Sequence, residues 1–113
     1  MDTAIRVAAL QLKAGNPQAA SVAATLASRV DPKSPAAAFL AGNAAAQLGD
    51  WEASVKALSR AVELSGETLA FHLALAESAA RSGHPEVAQA ALRRALARFP
   101  GNVELRQLAE SRR

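Results

Sequence analysis

Three glycines, Gly15, Gly49 and Gly83, stand 34 residues apart in a chain of 113 residues. The residues after them match in kind: Gly-Asn-Pro at 15–17, Gly-Asp-Trp at 49–51 and Gly-His-Pro at 83–85. A fixed period of this length constrains the fold more than any other feature of the sequence. It implies stacked copies of one supersecondary unit, none of which buries its apolar face alone. Each glycine reads as the left-handed residue that ends a helix. The next residue reads as the start of another: Asn16 and Asp50 carry a capping side-chain oxygen, and His84 is a poorer cap. Pro17 and Pro85 suit the first helical position, where a missing N–H costs nothing.

A second punctuation mark has the same period. Ser34, Thr68 and Asn102 are N-cap residues 34 apart, preceded by Pro32, Gly66 and Pro100, which stop the helix before them. Each unit is therefore helix, short turn, helix, longer turn. The predicted helices span 2–14, 17–30, 35–48, 51–65, 69–82 and 85–98, with a shorter one over about 103–111. Half of the sequence is hydrophobic, yet only 4% is aromatic and alanine dominates the rest. Alanine forms helix well and fills little volume, so the helices must approach closely. Alanines at 23/57/91 and 27/61/95 lie on one helical face and allow that approach. In the last helix Val103, Leu105 and Leu108 are expected to face inward, with Glu104, Arg106, Gln107 and Glu110 outward.

The period, the turn chemistry and the columns of small residues resemble the tetratricopeptide repeat. The resemblance covers residues 1–102 as three repeats, 1–34, 35–68 and 69–102, with 103–113 as a capping helix; the chain reads as one domain. It implies an all-α, right-handed solenoid of three antiparallel helix pairs plus the cap, seven helices in all. The family's small positions 8, 20 and 27 hold Ala8, Gly42 and Ala76; Ala20, Ser54 and Ala88; Ala27, Ala61 and Ala95. Position 24 is filled by Leu58 and Leu92 but only by Ala24 in the first unit. Positions 4 and 11, often large aromatics in the family, hold Ala4, Ala38 and His72, then Gln11, Ala45 and Ala79.

Catalytic chemistry finds no constellation here. The chain lacks cysteine, a phosphate-binding glycine loop and a nucleophile elbow, and its two histidines, His72 and His84, have no converging carboxylates. A non-enzymatic protein without cofactor or metal is expected. Asp2 and Arg6 oppose a signal peptide. The longest uncharged stretch, between Lys33 and Asp50, contains Pro35, Asn43 and Gln47 and falls short of the ~20 apolar residues of a membrane span. A cytoplasmic protein is therefore expected, and abundant Ala and Arg suggest a bacterial source. The net charge is +3, with Arg81, Arg93, Arg94, Arg98, Arg106, Arg112 and Arg113 in the last third. These arginines lack interleaved aromatics for base stacking, which argues against nucleic acid as the partner.

What remains is a surface. The resemblance implies a concave face lined by the first helix of each unit, where family members bind peptides or partner helices. Carried onto this chain, the candidate partner-binding residues are Ile5, Ala9 and Leu12; Phe39, Leu40, Asn43 and Gln47; Leu73, Glu77 and Arg81. Apolar anchors around a central asparagine, which both donates and accepts, suit a peptide or an amphipathic helix. Phe39, Leu40 and Leu73 equally suit partial burial in the core. The chaperone-binding members grip a terminal carboxylate with basic residues and asparagines; here the corresponding places hold Ile5, Ala9, Leu40, Ala70 and Ala74, so that clamp is missing. Glu77 and Arg81 are spaced for an i,i+4 ion pair. Trp51, the single tryptophan, is expected to pack the turn rather than the groove. The sequence thus predicts an interaction module or adaptor. The alternatives are a docking domain of a larger bacterial enzyme or secretion component, and a self-associating scaffold.

Overall fold

The three periodic glycines all adopt positive φ, +80° at Gly15, +79° at Gly49 and +83° at Gly83, and each lies in a tight turn between antiparallel helices. In the computed structural model, which describes residues 2–111, seven helices follow in order. They are α1 (Asp2–Lys13), α2 (Pro17–Val30), α3 (Pro35–Gln47), α4 (Trp51–Leu64), α5 (Leu69–Arg81), α6 (Pro85–Arg98) and α7 (Val103–Ser111). Among the described residues there is no strand. Helices α1, α3, α4 and α5 end one residue earlier than the sequence suggests. Leu48 and Ser82, for example, keep right-handed φ/ψ but serve as the C-cap residues ahead of the glycine turn.

The caps divide. Asp50 accepts from the Ala53 N–H at 3.2 Å, Ser34 from Ala37 at 3.2 Å and Asn102 from Leu105 at 3.0 Å. Asn16 and Thr68 do not cap, contrary to the sequence expectation. The Asn16 amide donates instead to the Gln11 side chain at 2.9 Å, and the Thr68 hydroxyl pairs with Ser65 at 3.0 Å. His84, the weakest cap on paper, makes no cap bond and faces Glu52 at the start of α4 in the preceding unit at 3.4 Å.

Consecutive helices pack against one another, and the first helices of successive units, α1, α3 and α5, also touch, with α7 against α5 and α6. This arrangement gives two curved layers, α1/α3/α5/α7 inside and α2/α4/α6 outside, in a body of 40 × 25 × 20 Å. The small-residue columns are where the helices close up: Ala8, Gly42 and Ala76, Ala20, Ser54 and Ala88, and Ala27, Ala61 and Ala95 are all buried. At Gly42 the approach is so close that a Cβ would sit 2.5 Å from Leu58 Cγ. Ser54 occupies the small column between α3 and α5. Its hydroxyl donates to the Gly42 carbonyl at 2.9 Å and therefore accepts from Ser78 at 2.8 Å, joining units two and three inside the core.

Core size is uneven along the solenoid. Around α1 and α2 the buried cluster is Ala8, Ala23 and Ala24, whereas the boundary between units two and three holds Leu58, Val62, Phe71 and Leu75. The cap closes the far end through Leu105, which is fully buried with Leu92 and Ala95. Val103 is exposed rather than inward. It lies about 200° around the helix from Leu105, so one face cannot bury both. Glu104, Arg106, Gln107 and Glu110 face solvent as expected.

Candidate functional site

The inner layer carries the candidate residues in three tiers. On α1, Ile5 and Leu12 are half-buried and Ala9 is exposed. On α3, Phe39, Leu40 and Asn43 are half-buried and Gln47 is exposed. On α5, Leu73 is half-buried while Glu77 and Arg81 are exposed. Three of the apolar members also belong to the packing between helices. Phe39 stacks at 4.7 Å and a 35° tilt on Phe71 against the central core, Leu40 rests on the alanine cluster of unit one, and Leu73 on the cluster beneath α7. Their inner edges are thus held in place from behind. Asn43 has no hydrogen-bond partner for its side-chain amide among the described residues, so both its donor and its acceptor remain available.

Arg81 does not pair with Glu77. Its guanidinium carbon lies 5.3 Å from the centroid of the Trp51 ring, a cation–π contact that ties the third inner helix to the turn of the second unit. Trp51 is half-buried at the start of α4, directly behind Gly49 and Asp50. Glu77 is consequently left without a basic partner on its own helix. It faces α7 instead, across a cavity of about 330 Å³ lined by Leu73, Glu77, Glu104, Gln107, Leu108 and Ser111.

The α7 side of this cavity is the part that sequence reasoning missed. Glu104 and Gln107 read as the solvated face of a cap, which they are, yet the same face forms one wall of the furrow against α5. The signal could have come only from knowing how α7 lies on α5, a relation between residues about 30 positions apart. His72, at an aromatic place in the repeat, is buried. Its Nε2–H donates to the Gly66 carbonyl at 2.9 Å and its ring meets Phe99 edge-on at 5.5 Å. Its two contacts lie in the turns before α5 and after α6, and its Nδ1 is buried without a partner among the described residues.

Paired antiparallel helices at a constant period and an inner layer with apolar and amide side chains open to a curved face define an α-solenoid scaffold that offers a surface for a partner. Tetratricopeptide-repeat models match residues 8–67 and 69–109. The chain belongs to the tetratricopeptide repeat family and is a protein-interaction module of that class.

Solved structures agree on the fold. The first repeat domain of Spaghetti (RPAP3), determined with the HSP90 peptide SRMEEVD, is 18% identical with a TM-score of 0.82; the match covers 96% of this chain and 90% of that one. MamA is 20% identical with a TM-score of 0.88, covering 98% of this chain and 61% of that one. The Yersinia enterocolitica type III secretion translocator chaperone SycD is 15% identical with a TM-score of 0.80, covering 98% and 77%. No curated protein sequence matches the chain significantly. No helix among the described residues is long and apolar enough to cross a membrane.

Proposed function

We propose that the concave face binds an extended peptide or an amphipathic helix through apolar anchors. The observation that carries this reading is the line of Ile5, Leu12, Phe39, Leu40 and Leu73, half-buried along the inner helices around an Asn43 amide with no partner among the described residues. Apolar pockets with a few convergent polar groups suit such a ligand, because burial supplies affinity and the amide fixes register. Gln47 and Glu77 supply polar rims, and the furrow between α5 and α7 extends the groove past Leu73.

An acidic peptide such as the SRMEEVD determined with the Spaghetti domain does not fit this lining. Ile5, Ala9, Leu40, Ala70 and Ala74 offer no charge-assisted donors to a terminal carboxylate. The lining favours side chains such as Leu, Ile or Phe presented at helical or extended spacing.

The test begins with a pull-down using the intact chain and the variants Phe39→Ala and Asn43→Ala, with enriched proteins identified by mass spectrometry. Calorimetry on the matching peptide follows. Phe39→Ala is expected to weaken binding by about tenfold or more, as truncation of a central aromatic anchor does. Unchanged affinity in both folded variants removes the concave face from the proposal.

A further inference from the structure

Six positions of each unit face the unit before it, and the structure identifies them by their contacts. At position 10, Ser78 reaches back to Ser54; at position 26, Arg60 donates to the Pro32 carbonyl at 3.4 Å; at position 30, Arg98 pairs with Glu67. At positions 7 and 22, Leu75 and Ala90 line a furrow with Ser59 of the preceding outer helix. At position 3, Phe71 enters the core built on α4. In unit one these places are Thr3, Val7, Leu10, Val22, Leu26 and Val30.

Nothing in the described chain covers that flank. Leu10 is 65% exposed where Ala44 and Ser78 are 0% and 4%, and Val7 is 40% exposed where Leu75 is 3%. Val22, Leu26 and Val30 are 54–71% exposed. The outer-helix positions also change chemistry. Position 26 is Arg60 and Arg94 in units two and three but Leu26 in unit one, and position 22 is Lys56 and Ala90 but Val22 in unit one. Five of the eight large exposed aliphatic side chains of the described residues gather on this one end. Scattered surface aliphatics need no explanation, whereas a contiguous group of this kind marks a contact surface.

We infer that this flank is a self-association surface, joined to the same flank of a second copy across a two-fold axis. Three observations select that occupant. The opposite end of the solenoid is unsuited to a head-to-tail contact, because α7 presents Glu104, Arg106 and Glu110 there. The flank carries both a ridge and a furrow. Val22, Leu26 and Val30 form an i, i+4 ridge, and Leu26 and Val30 are also one wall of a cavity of about 370 Å³ closed on its other side by Thr3, Ala4, Val7 and Ala23. A two-fold axis places each copy's ridge in the other's furrow, the isologous arrangement. Lastly, the five side chains expose about 500 Å² per copy, roughly 1,000 Å² for the pair, which falls at the weak end of specific interfaces. An interface of this size makes the dimer weak and reversible. It leaves the concave faces of both copies open and buries none of the groove residues.

Sedimentation equilibrium of the intact chain, from low micromolar to near millimolar, tests this. Val22→Lys with Leu26→Arg is the informative variant, because it gives unit one residues that unit two already carries at the same places, and circular dichroism checks its fold. The expected result is a monomer–dimer equilibrium weakened about tenfold or more by that variant and unaltered by Phe39→Ala. Backbone amide shifts that change with concentration should fall on α1 and α2. A chain that stays monomeric throughout overturns the inference. A dimer indifferent to the double variant, or shifts confined to the concave face, overturns it as well.

Discussion

Replacing Gly42 with alanine sets two effects of opposite sign against each other. In a helix interior, alanine is more favourable than glycine by about 1 kcal/mol, so propensity alone predicts a more stable protein. The structure predicts the reverse. The added Cβ would lie 2.5 Å from Leu58 Cγ and 2.7 Å from Cδ2, where unstrained carbons sit near 3.5–4.0 Å. The nearest atom is the branch carbon, so a rotamer change at the tip of Leu58 cannot clear it, and Leu58 is fully buried. Overpacking of this kind costs about 1–3 kcal/mol, and a contact this short belongs in the upper half of that range. After the propensity gain a net loss of about 1–2 kcal/mol remains, a fall of about 5–10 °C in melting temperature for a domain of this size.

Thermal and urea unfolding followed by circular dichroism measure it, and a second background sharpens the result. With Leu58→Ala present, the clash is gone and Gly42→Ala should stabilise, because the pair then copies the Ala8–Ala24 pair of unit one. The coupling between the two substitutions should be about 2–3 kcal/mol. Unit three places Ala76 and Leu92 in one cluster, so the competing outcome is an α3–α4 pair that slides toward that arrangement. A Gly42→Ala protein as stable as its parent would refute the steric reasoning.

Other perturbations probe separate contacts. Ser54→Ala strands the Ser78 hydroxyl in the core and should cost about 1–3 kcal/mol in urea unfolding, part of it recovered by adding Ser78→Ala; a single variant as stable as the parent contradicts the network. Trp51→Ala and Arg81→Ala, combined in a double-mutant cycle, should show a coupling of about 0.5–1 kcal/mol, and zero coupling rejects the cation–π contact. Gly49→Ala meets no steric neighbour, yet at φ +79° the left-handed backbone alone should cost about 1–2 kcal/mol, visible as a lower melting temperature.

The helices were legible because their punctuation is local. Gly15, Gly49 and Gly83 each act on their own turn, and the small-residue columns follow from the period. The two failed caps show the limit: Asn16 and Thr68 are the right residue types, but Gln11 and Ser65 compete for their side chains, and that competition depends on turn geometry. Residues on the inner face could be placed by position within the unit. Whether Arg81 turns to Glu77 or to Trp51 depends on a neighbouring unit, as does the Ser54–Ser78 bond, so neither could be read from spacing along one helix.

The alanine core of the first unit has a consequence for the whole surface. Methyl groups bring α1 and α2 close together but remove little apolar area from water, whereas Leu58, Val62, Phe71 and Leu75 remove much more further along. Solenoid units hold mainly to their neighbours, so local opening should be easiest at the first pair and hardest at the boundary of the second and third. Ile5, Ala9 and Leu12 sit on that easily opened pair. Anything that clamps the outer flank of α1 and α2 therefore also raises the fraction of molecules in which the groove is complete, and links two surfaces that share no residue through the folding equilibrium of one helical hairpin.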